Sequence, residues 1–252
     1  MGKVVLFKDF DLEYQNRFRE KGFETLFVPV IKFEFVNQKI IIRFTQQSPS
    51  NFAGVIITSS TSLDAINKIC QMDNKSKKFF ENVKFFSVGE KSVKKAKLLK
   101  TNVQFDKSYF KNSEELAENV LLKYRSDPQK QFLILSSNIR RQNLTEKLIA
   151  ANINFVEITA YKTLSQPNLT QKILSLKNNS QFQAKFVVFF SPSGLNAVLA
   201  SFPDFFRIFD CFKIVAIGDT TAQALISRNI RLDAVSSMPK PESLVETLLN
   251  FQ

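Results

Sequence analysis

Short apolar runs alternate with amphipathic stretches along the whole chain of 252 residues. Several runs are apolar throughout, which is typical of strands that are covered on both faces of a parallel sheet. Seven such runs are predicted as strands: Val4–Phe7, Val55–Thr58, Val83–Ser87, Phe132–Leu135, Phe155–Ile158, Phe186–Phe190 and Ile214–Ile217. The segment Gln38–Gln47 permits either a strand or a helix. Strands and helices that alternate at this spacing predict right-handed βαβ units and an α/β fold.

The chain also contains a weak internal repeat. Residues 54–66 resemble residues 186–198, so that Ser59 corresponds to Ser191. Further along, Val-Gly-Glu at 88–90 matches Ile-Gly-Asp at 217–219, and residues 113–121 match 241–249. The repeat predicts two similar α/β lobes.

A second pair of segments relates residues 18–30 to residues 148–160. It places Gly22 and Asn152 at a helix end, where a left-handed conformation is favoured. The chain therefore divides into four segments, at about 4–30, 50–122, 132–160 and 185–250. Two arrangements remain open: the first segment pairs with the second and the third with the fourth, or the first and fourth enclose the second and third.

Missing residue types exclude several kinds of chemistry. The chain has no histidine, which excludes Ser-His-Asp and Cys-His catalysis and His-ligated zinc. Its two cysteines, Cys70 and Cys211, are too far apart in sequence for a CxxC redox pair or a zinc knuckle. No apolar run approaches the roughly 18 residues of a membrane helix, and the N-terminal run is too short for a signal peptide. We expect a cytosolic protein without a metal.

The charge is strongly positive, with 35 Lys and Arg against 23 Asp and Glu and a net charge of +12. Such a surplus favours an anionic partner, which can be nucleic acid, an acidic membrane or a polyanionic small molecule. A solvated, lysine-rich surface accounts for it equally well.

Five predicted strands are followed by loops of small polar residues or glycine. Free backbone N–H groups and hydroxyls at a helix N-terminus bind carboxylates and phosphates, although each loop alone can simply cap its own helix. Because ligands of parallel sheets bind beyond the carboxyl ends of the strands, five loops facing one crevice would bind a polyanion. Neither a Walker loop nor GxGxxG is present. The loops are 59–62, 88–92, 136–138, 191–194 and 218–221.

Five segments occur in the order and spacing of the uroporphyrinogen-III synthase family, which the chain resembles over essentially its whole length. Two of them, at 29–35 and 189–195, are similar to the animal-type branch. The segments are Val28–Phe35, Ile57–Ser60, Ile158–Thr163, Phe189–Leu195 and Ala216–Ala222.

This resemblance implies two similar parallel-sheet α/β lobes, joined by a two-stranded β-ladder, with a cleft between them. It places residues 1–31 and 163–252 in a discontinuous outer lobe and residues 36–158 in an inserted middle lobe. Residues 32–35 and 159–162 form the connecting ladder.

The implied activity is a cyclising lyase reaction of haem and tetrapyrrole biosynthesis. Hydroxymethylbilane, a linear tetrapyrrole with acetate and propionate groups, closes to uroporphyrinogen III with inversion of ring D and loss of water. The resemblance implies a monomer without cofactor, nucleic acid or membrane partner, in transient contact with the preceding pathway enzyme. The alternative from another class is a two-lobed binding protein for a nucleotide or RNA, against which the lack of an aromatic-basic ribbon argues.

The resemblance also implies roles for individual residues. By position, Tyr161 assists departure of the substrate hydroxyl, although a buried tyrosine can instead make one structural hydrogen bond. The chain departs from the family pattern in two loops. Asp219 stands where the family has a proline, and Ser60-Thr61 stands where it has a proline followed by a basic residue. The implied substrate-binding residues are Ser191, Ser193, Gly194, Thr220 and Thr221 in the outer lobe, with Ser59, Ser60, Gly89, Ser92, Asn138 and Arg141 in the middle lobe.

Overall fold

The computed structural model describes residues 2–98, 104–106, 109–124, 129–139, 143–178 and 184–251. The chain divides into two units. The terminal unit comprises Met1–Lys32 and Leu164–Gln252, and the middle unit comprises Phe33–Thr163.

The terminal unit contains a five-stranded sheet in the order β11-β10-β9-β1-β2, in which all neighbouring strands are parallel. Its strands are β1 (Gly2–Phe7), β2 (Phe23–Phe27), β9 (Phe186–Phe189), β10 (Lys213–Ala216) and β11 (Ala234–Val235). Its helices are α1 (Leu12–Glu20), α8 (Leu169–Asn178), α9 (Pro192–Ser201), α10 (Phe205–Ile208), α11 (Asp219–Ile226) and α12 (Pro241–Leu249).

The middle unit is built around a six-stranded sheet in the order β3-β8-β7-β4-β5-β6. Its strands are β3 (Ile31–Phe35), β4 (Phe52–Ile57), β5 (Lys84–Ser87), β6 (Gln104–Phe105), β7 (Gln131–Ser137) and β8 (Phe155–Ser165). Its helices are α2 (Gln38–Thr45), α3 (Ser60–Met72), α4 (Asn74–Asn82), α5 (Glu90–Leu98), α6 (Ser113–Tyr124) and α7 (Asn143–Ala150). Strands β3 and β8 cross the boundary between the units.

The two sheets repeat one topology, since β2-β1-β9-β10-β11 of the terminal unit corresponds to β8-β7-β4-β5-β6 of the middle unit. The first repeated segment therefore shares a sheet with the fourth, and the second with the third. The predicted left-handed residues are confirmed, with φ of 78° at Gly22 and 55° at Asn152. Each follows the helix between the two strands of its segment, where a left-handed residue ends the helix.

Strands occupy all seven predicted apolar runs, because both faces of each sheet are covered by apolar clusters. The largest fully buried side chains are all phenylalanines. Phe7, Phe189 and Phe205 illustrate their packing, with ring centroids 5.0 to 6.3 Å apart and tilted or edge-on planes. Such pairs stabilise a core beyond the area that they bury.

The segment left open between strand and helix forms helix α2. Ile41 and Thr45, four residues apart, are both buried, and so they lie on one face of the helix. Thr45 also contacts Ser76 of α4 through a 2.6 Å hydrogen bond between their hydroxyls. Packing of this face decides between the two predictions in favour of the helix.

Asp233, just before β11, forms a hydrogen bond and ion pairs with residues near one end of the terminal sheet. Its carboxylate accepts a 2.8 Å hydrogen bond from the Ile214 backbone N–H and pairs with Lys213 and Arg231 at 3.3 and 3.1 Å. Burial raises the pKa of this carboxyl, but the Ile214 N–H and the two cations outweigh burial and hold it below its ordinary value.

We expect Asp233→Asn to destabilise the protein near neutral pH and to have little effect in acid. Because the folded-state pKa lies below the unfolded one, the carboxylate stabilises the fold above about pH 4, and this contribution is lost as the pH falls through the folded-state pKa. Urea unfolding midpoints from about pH 7 to about pH 3 test it. Asp204→Asn, at an exposed ion pair with Arg207, is the control. A difference from wild type that does not change with pH would contradict the prediction.

Candidate active site

Each unit has a pocket beyond the carboxyl ends of its strands. The pocket of the middle unit, called here the middle pocket, has a volume of about 350 Å³. It is lined by Thr58, Ser59, Val88, Lys111, Asn112, Ser113, Ile134, Ser136, Ser137, Ile139, Leu144, Thr145, Glu157 and Tyr161. Hydroxyl groups and the N-terminus of α6 give this pocket many hydrogen-bond donors.

The corresponding terminal pocket has a volume of about 530 Å³. Its walls are the loops after three parallel strands, β9, β10 and β11. The lining residues are Phe190, Ser191, Pro192, Ile217, Gly218, Asp219, Thr220, Thr221, Val235, Ser236, Ser237 and Pro239. Five of these twelve residues are serine or threonine.

The internal repeat extends to the walls of these two pockets. Ser59 lines the middle pocket and its counterpart Ser191 lines the terminal pocket. The two serines also have the same structural role, because each caps the helix that follows. The Ser59 hydroxyl accepts from Thr61 N at 3.1 Å, and the Ser191 hydroxyl accepts from Gly194 N at 3.0 Å. The same loops of the repeated topology therefore form a pocket in each unit.

Tyr161 lies on β8 and lines the middle pocket with a side chain that is 5% exposed. A register irregularity between Ser136 and Ser137 pairs Ser137 with Tyr161. The ring packs edge-on against Phe33, with centroids 5.6 Å apart. No residue in the described ranges hydrogen-bonds to the Tyr161 hydroxyl, which leaves its proton available to a ligand.

The predicted residues of the middle unit divide between the pocket and its supports. Ser59 lines the pocket, whereas Ser60, Gly89, Ser92 and Asn138 do not. Ser92 is 2% exposed, and its hydroxyl donates to the Val88 carbonyl at 3.3 Å. The Asn138 side-chain oxygen accepts from Thr163 N at 2.8 Å. Arg141 lies outside the described residues.

In the terminal unit, Ser191, Thr220 and Thr221 line the pocket, whereas Ser193 and Gly194 do not. The Ser193 hydroxyl lies 3.0 Å from the Ser191 hydroxyl, and Gly194 supplies the capping N–H. Helix α11 begins after Gly218 without a side-chain cap. The backbone N–H groups in the first turn of α11 therefore have no side-chain acceptor. An anion binds at a helix N-terminus through N–H groups of this kind.

The two departures from the family pattern have different consequences. Asp219 is exposed in the first turn of α11 and places a carboxylate in the wall of the terminal pocket. Thr61 is 8% exposed, and so a buried threonine stands where the pattern has a basic residue.

Residues at the start of α6 complete the middle pocket but were not predicted. Asn112 accepts a 2.8 Å hydrogen bond from Glu115 N, while the Glu115 carboxylate accepts from Lys111 N at 2.7 Å. This exchange resembles a capping box and fixes the backbone beside the pocket. The match between residues 113–121 and 241–249 is the signal that could have found it, because it makes Ser113 and Pro241 the first residues of equivalent helices, α6 and α12.

Within the described ranges, no group of three or more Cys, Asp or Glu side chains is placed to hold a metal ion. Among the helices described, none is long and apolar enough to cross a membrane.

A family model described as "Uroporphyrinogen-III synthase HemD" matches residues 13–246. The chain belongs to the uroporphyrinogen-III synthase family. Uroporphyrinogen-III synthases are cyclising lyases of tetrapyrrole biosynthesis, and this chain is therefore an enzyme of that class with a tetrapyrrole substrate. The alternative of a two-lobed polyanion-binding protein is not favoured.

Curated relatives and solved structures agree with this assignment. Uroporphyrinogen-III synthase of Saccharomyces cerevisiae is 24% identical over 95% of this chain and 92% of its own length. The Schizosaccharomyces pombe enzyme is 22% identical over 94% and 91%. Uroporphyrinogen-III synthetase of Helicobacter pylori superposes with a TM-score of 0.68 at 18% identity, with all of both chains covered. A mutant Thermus thermophilus uroporphyrinogen III synthase gives 0.64 at 14%, covering 100% and 97% of the two chains. These structures support the fold.

Proposed function

We propose that this member of the family closes hydroxymethylbilane to uroporphyrinogen III, with inversion of ring D and loss of water. The observation that carries this proposal is the buried Tyr161, whose hydroxyl has no partner among the described residues, in a pocket lined by hydroxyl and N–H donors. Donors of this kind suit a substrate with many carboxylates, and the net charge of +12 attracts it.

The proposed substrate-binding groups are those that line the two pockets. Ser59 in the middle pocket, and Ser191 and the threonine pair Thr220 and Thr221 in the terminal pocket, donate to acetate and propionate oxygens. The free N–H groups at the start of α11 add uncharged donors. Ser60, Gly89, Ser92, Asn138, Arg141, Ser193 and Gly194 remain proposed site residues that shape or extend these walls.

In the proposed reaction, the Tyr161 phenol donates its proton to the hydroxyl of the substrate's terminal hydroxymethyl group. The carbon–oxygen bond breaks, water leaves, and a protonated azafulvene remains beside the phenolate. Ring D attacks the methylene carbon of the azafulvene through its substituted α-carbon to form a spiro-pyrrolenine. The bond from that α-carbon to the methylene bridge of the preceding ring then breaks, this methylene bonds to the free α-carbon of ring D, and the proton lost from that carbon restores the phenol, so that ring D ends inverted. Because linear tetrapyrroles also close spontaneously, without inversion, the enzyme's task is to impose one conformation, and positioning alone supplies up to roughly 7–11 kcal/mol in favourable cases.

The proposal extends to organisation and context. The outer lobe comprises residues 1–31 and 163–252, the middle lobe residues 36–158, and the connecting ladder residues 32–35 and 159–162. The protein acts in the cytosol as a monomer, without metal or organic cofactor, and receives its unstable substrate through transient contact with the enzyme that makes it.

An isomer-resolved product assay tests the proposed reaction. Purified protein is mixed with freshly prepared hydroxymethylbilane, and the oxidised porphyrin products are separated by chromatography. We expect the type III isomer with the enzyme and the type I isomer in the enzyme-free control. Type I product alone in both samples would contradict the proposal.

A further inference from the structure

Lys111 is the only cationic side chain among the described residues that line the middle pocket. It is exposed, and within the described part of the chain no carboxylate pairs with its ammonium group. Its backbone N–H is fixed by the Glu115 carboxylate at 2.7 Å, immediately before α6. The backbone of Lys111 is thus fixed, and its ammonium group has no carboxylate partner among the described residues. Such a lysine in a pocket wall is suited to bind an anionic ligand.

Ser136 supplies a second, independent sign of a ligand in this pocket. It lines the pocket, its side chain is 3% exposed, and its hydroxyl oxygen has no hydrogen-bond partner among the described residues. Buried hydroxyls in proteins are nearly always hydrogen-bonded, because an unpaired one is unfavourable. A ligand oxygen bound in the pocket would provide the missing partner.

The terminal pocket differs in its charge. Its lining residues within the described ranges include no cation and one carboxylate, Asp219. The middle pocket holds Lys111 together with Glu157. The two pockets are equivalent in the repeated fold, but only the middle pocket has a lysine among its described lining residues. The two pockets therefore differ in charge.

We propose that the middle pocket binds one substrate carboxylate as an ion pair with Lys111, supported by a hydrogen bond from the Ser136 hydroxyl. This proposal rests on the proposed function and adds a division of labour to it: one carboxylate is held by charge in the middle pocket, and the others by uncharged donors.

Lys111→Met tests the ion pair, because it keeps most of the length of the unbranched side chain and removes the charge. We expect KM for hydroxymethylbilane to rise about tenfold to a hundredfold, with little change in kcat. The increase of KM with salt, from about 50 to about 300 mM NaCl, should become shallower, since salt weakens an ion pair. Lys111→Arg should restore most of the affinity. Lys75→Met, an exposed lysine outside both pockets with the same change in charge, is the control.

Ser136→Ala tests the hydroxyl. We expect a rise in KM of about threefold to tenfold without loss of thermal stability, because the free protein loses no hydrogen bond. A lower unfolding temperature with an unchanged KM would show a purely structural serine. If wild type makes the type III isomer and Lys111→Met keeps the wild-type KM and salt dependence, this proposal alone fails. If wild type makes only the type I isomer, the proposed function fails as well.

Discussion

Tyr161→Phe is expected to lower kcat for uroporphyrinogen III formation by about tenfold to a few hundredfold, the range for general acid assistance. The substitution removes the phenolic proton and keeps the ring that packs edge-on against Phe33 at 5.6 Å. Because donors and walls of the pockets are unchanged, KM should stay close to that of wild type. Rates at saturating hydroxymethylbilane, with the isomers separated, measure the effect.

Tyr124→Phe provides the matched control, since this tyrosine packs against Phe86 and Phe132 and lines neither pocket. Both variants should remain folded, as judged by circular dichroism. An unchanged kcat in Tyr161→Phe would remove the phenol from the mechanism. Complete loss of activity in the folded variant would show that the phenol does more than assist departure of the hydroxyl.

Gly54→Ala is expected to reduce the free energy of unfolding by about 1–3 kcal/mol, as overpacking of a core does. Gly54 lies on β4, beside a register irregularity between β4 and β7. An added Cβ would collide with the Phe86 ring and lie 2.9 Å from the Lys84 carbonyl oxygen. Phe86 is fully buried, and Lys84 belongs to the paired strand β5, so neither can move away easily.

Chemical denaturation measures this change, and Gly218→Ala is the control for stability. A Cβ at Gly218 would meet nothing within 4 Å, and its φ of 173° is extended backbone. We expect that control to unfold within about 0.5 kcal/mol of wild type, as a substitution without new contacts does. A Gly54→Ala protein as stable as wild type would mean that β4 and β5 can separate at this position.

Sequence patterns predicted the central strands well, because those strands are covered on both faces and read as continuous apolar runs. Val4–Phe7 and Phe186–Phe189, which pair in the terminal sheet, are examples. The positions of Gly22 and Asn152 were also predictable, because ending a helix with a left-handed residue is a local requirement. Local and fully buried features are those that a single sequence encodes most directly.

Other elements depend on contacts that the sequence does not display. The apolar residues 40–42 match a strand as well as a helix, and α2 forms because its buried face packs against α4. The edge strands β6 and β11 contain two residues each, and so they carry no periodic signal. These residues form strands because they pair with a longer neighbouring strand.

The candidate site was predictable where its residues follow a strand directly. Ser59, Ser191 and the pair Thr220 and Thr221 were found in this way, because parallel strands bring such loops to one edge. Lys111, which we propose as a carboxylate-binding residue, was not predicted, because it precedes a helix and follows none of the predicted strands directly. Ser92 remains a prediction: it follows a strand directly, but its hydroxyl donates to the Val88 carbonyl and it does not line the middle pocket.

The pairing of β1 with β9 has a consequence for synthesis on the ribosome. Val4 pairs with Thr25 of β2 on one side and with Phe186 of β9 on the other. The edge of β1 that faces β9 therefore stays unpaired until Phe186 has been synthesised. The corresponding pair of the middle sheet, β4 and β7, is closer in the chain, with Phe52 beside Gln131, and can form earlier. Contacts between distant residues form slowly, because closing a long loop is entropically unfavourable. During that interval the open edge of this apolar strand can pair with other chains, and binding of a chaperone there would prevent aggregation.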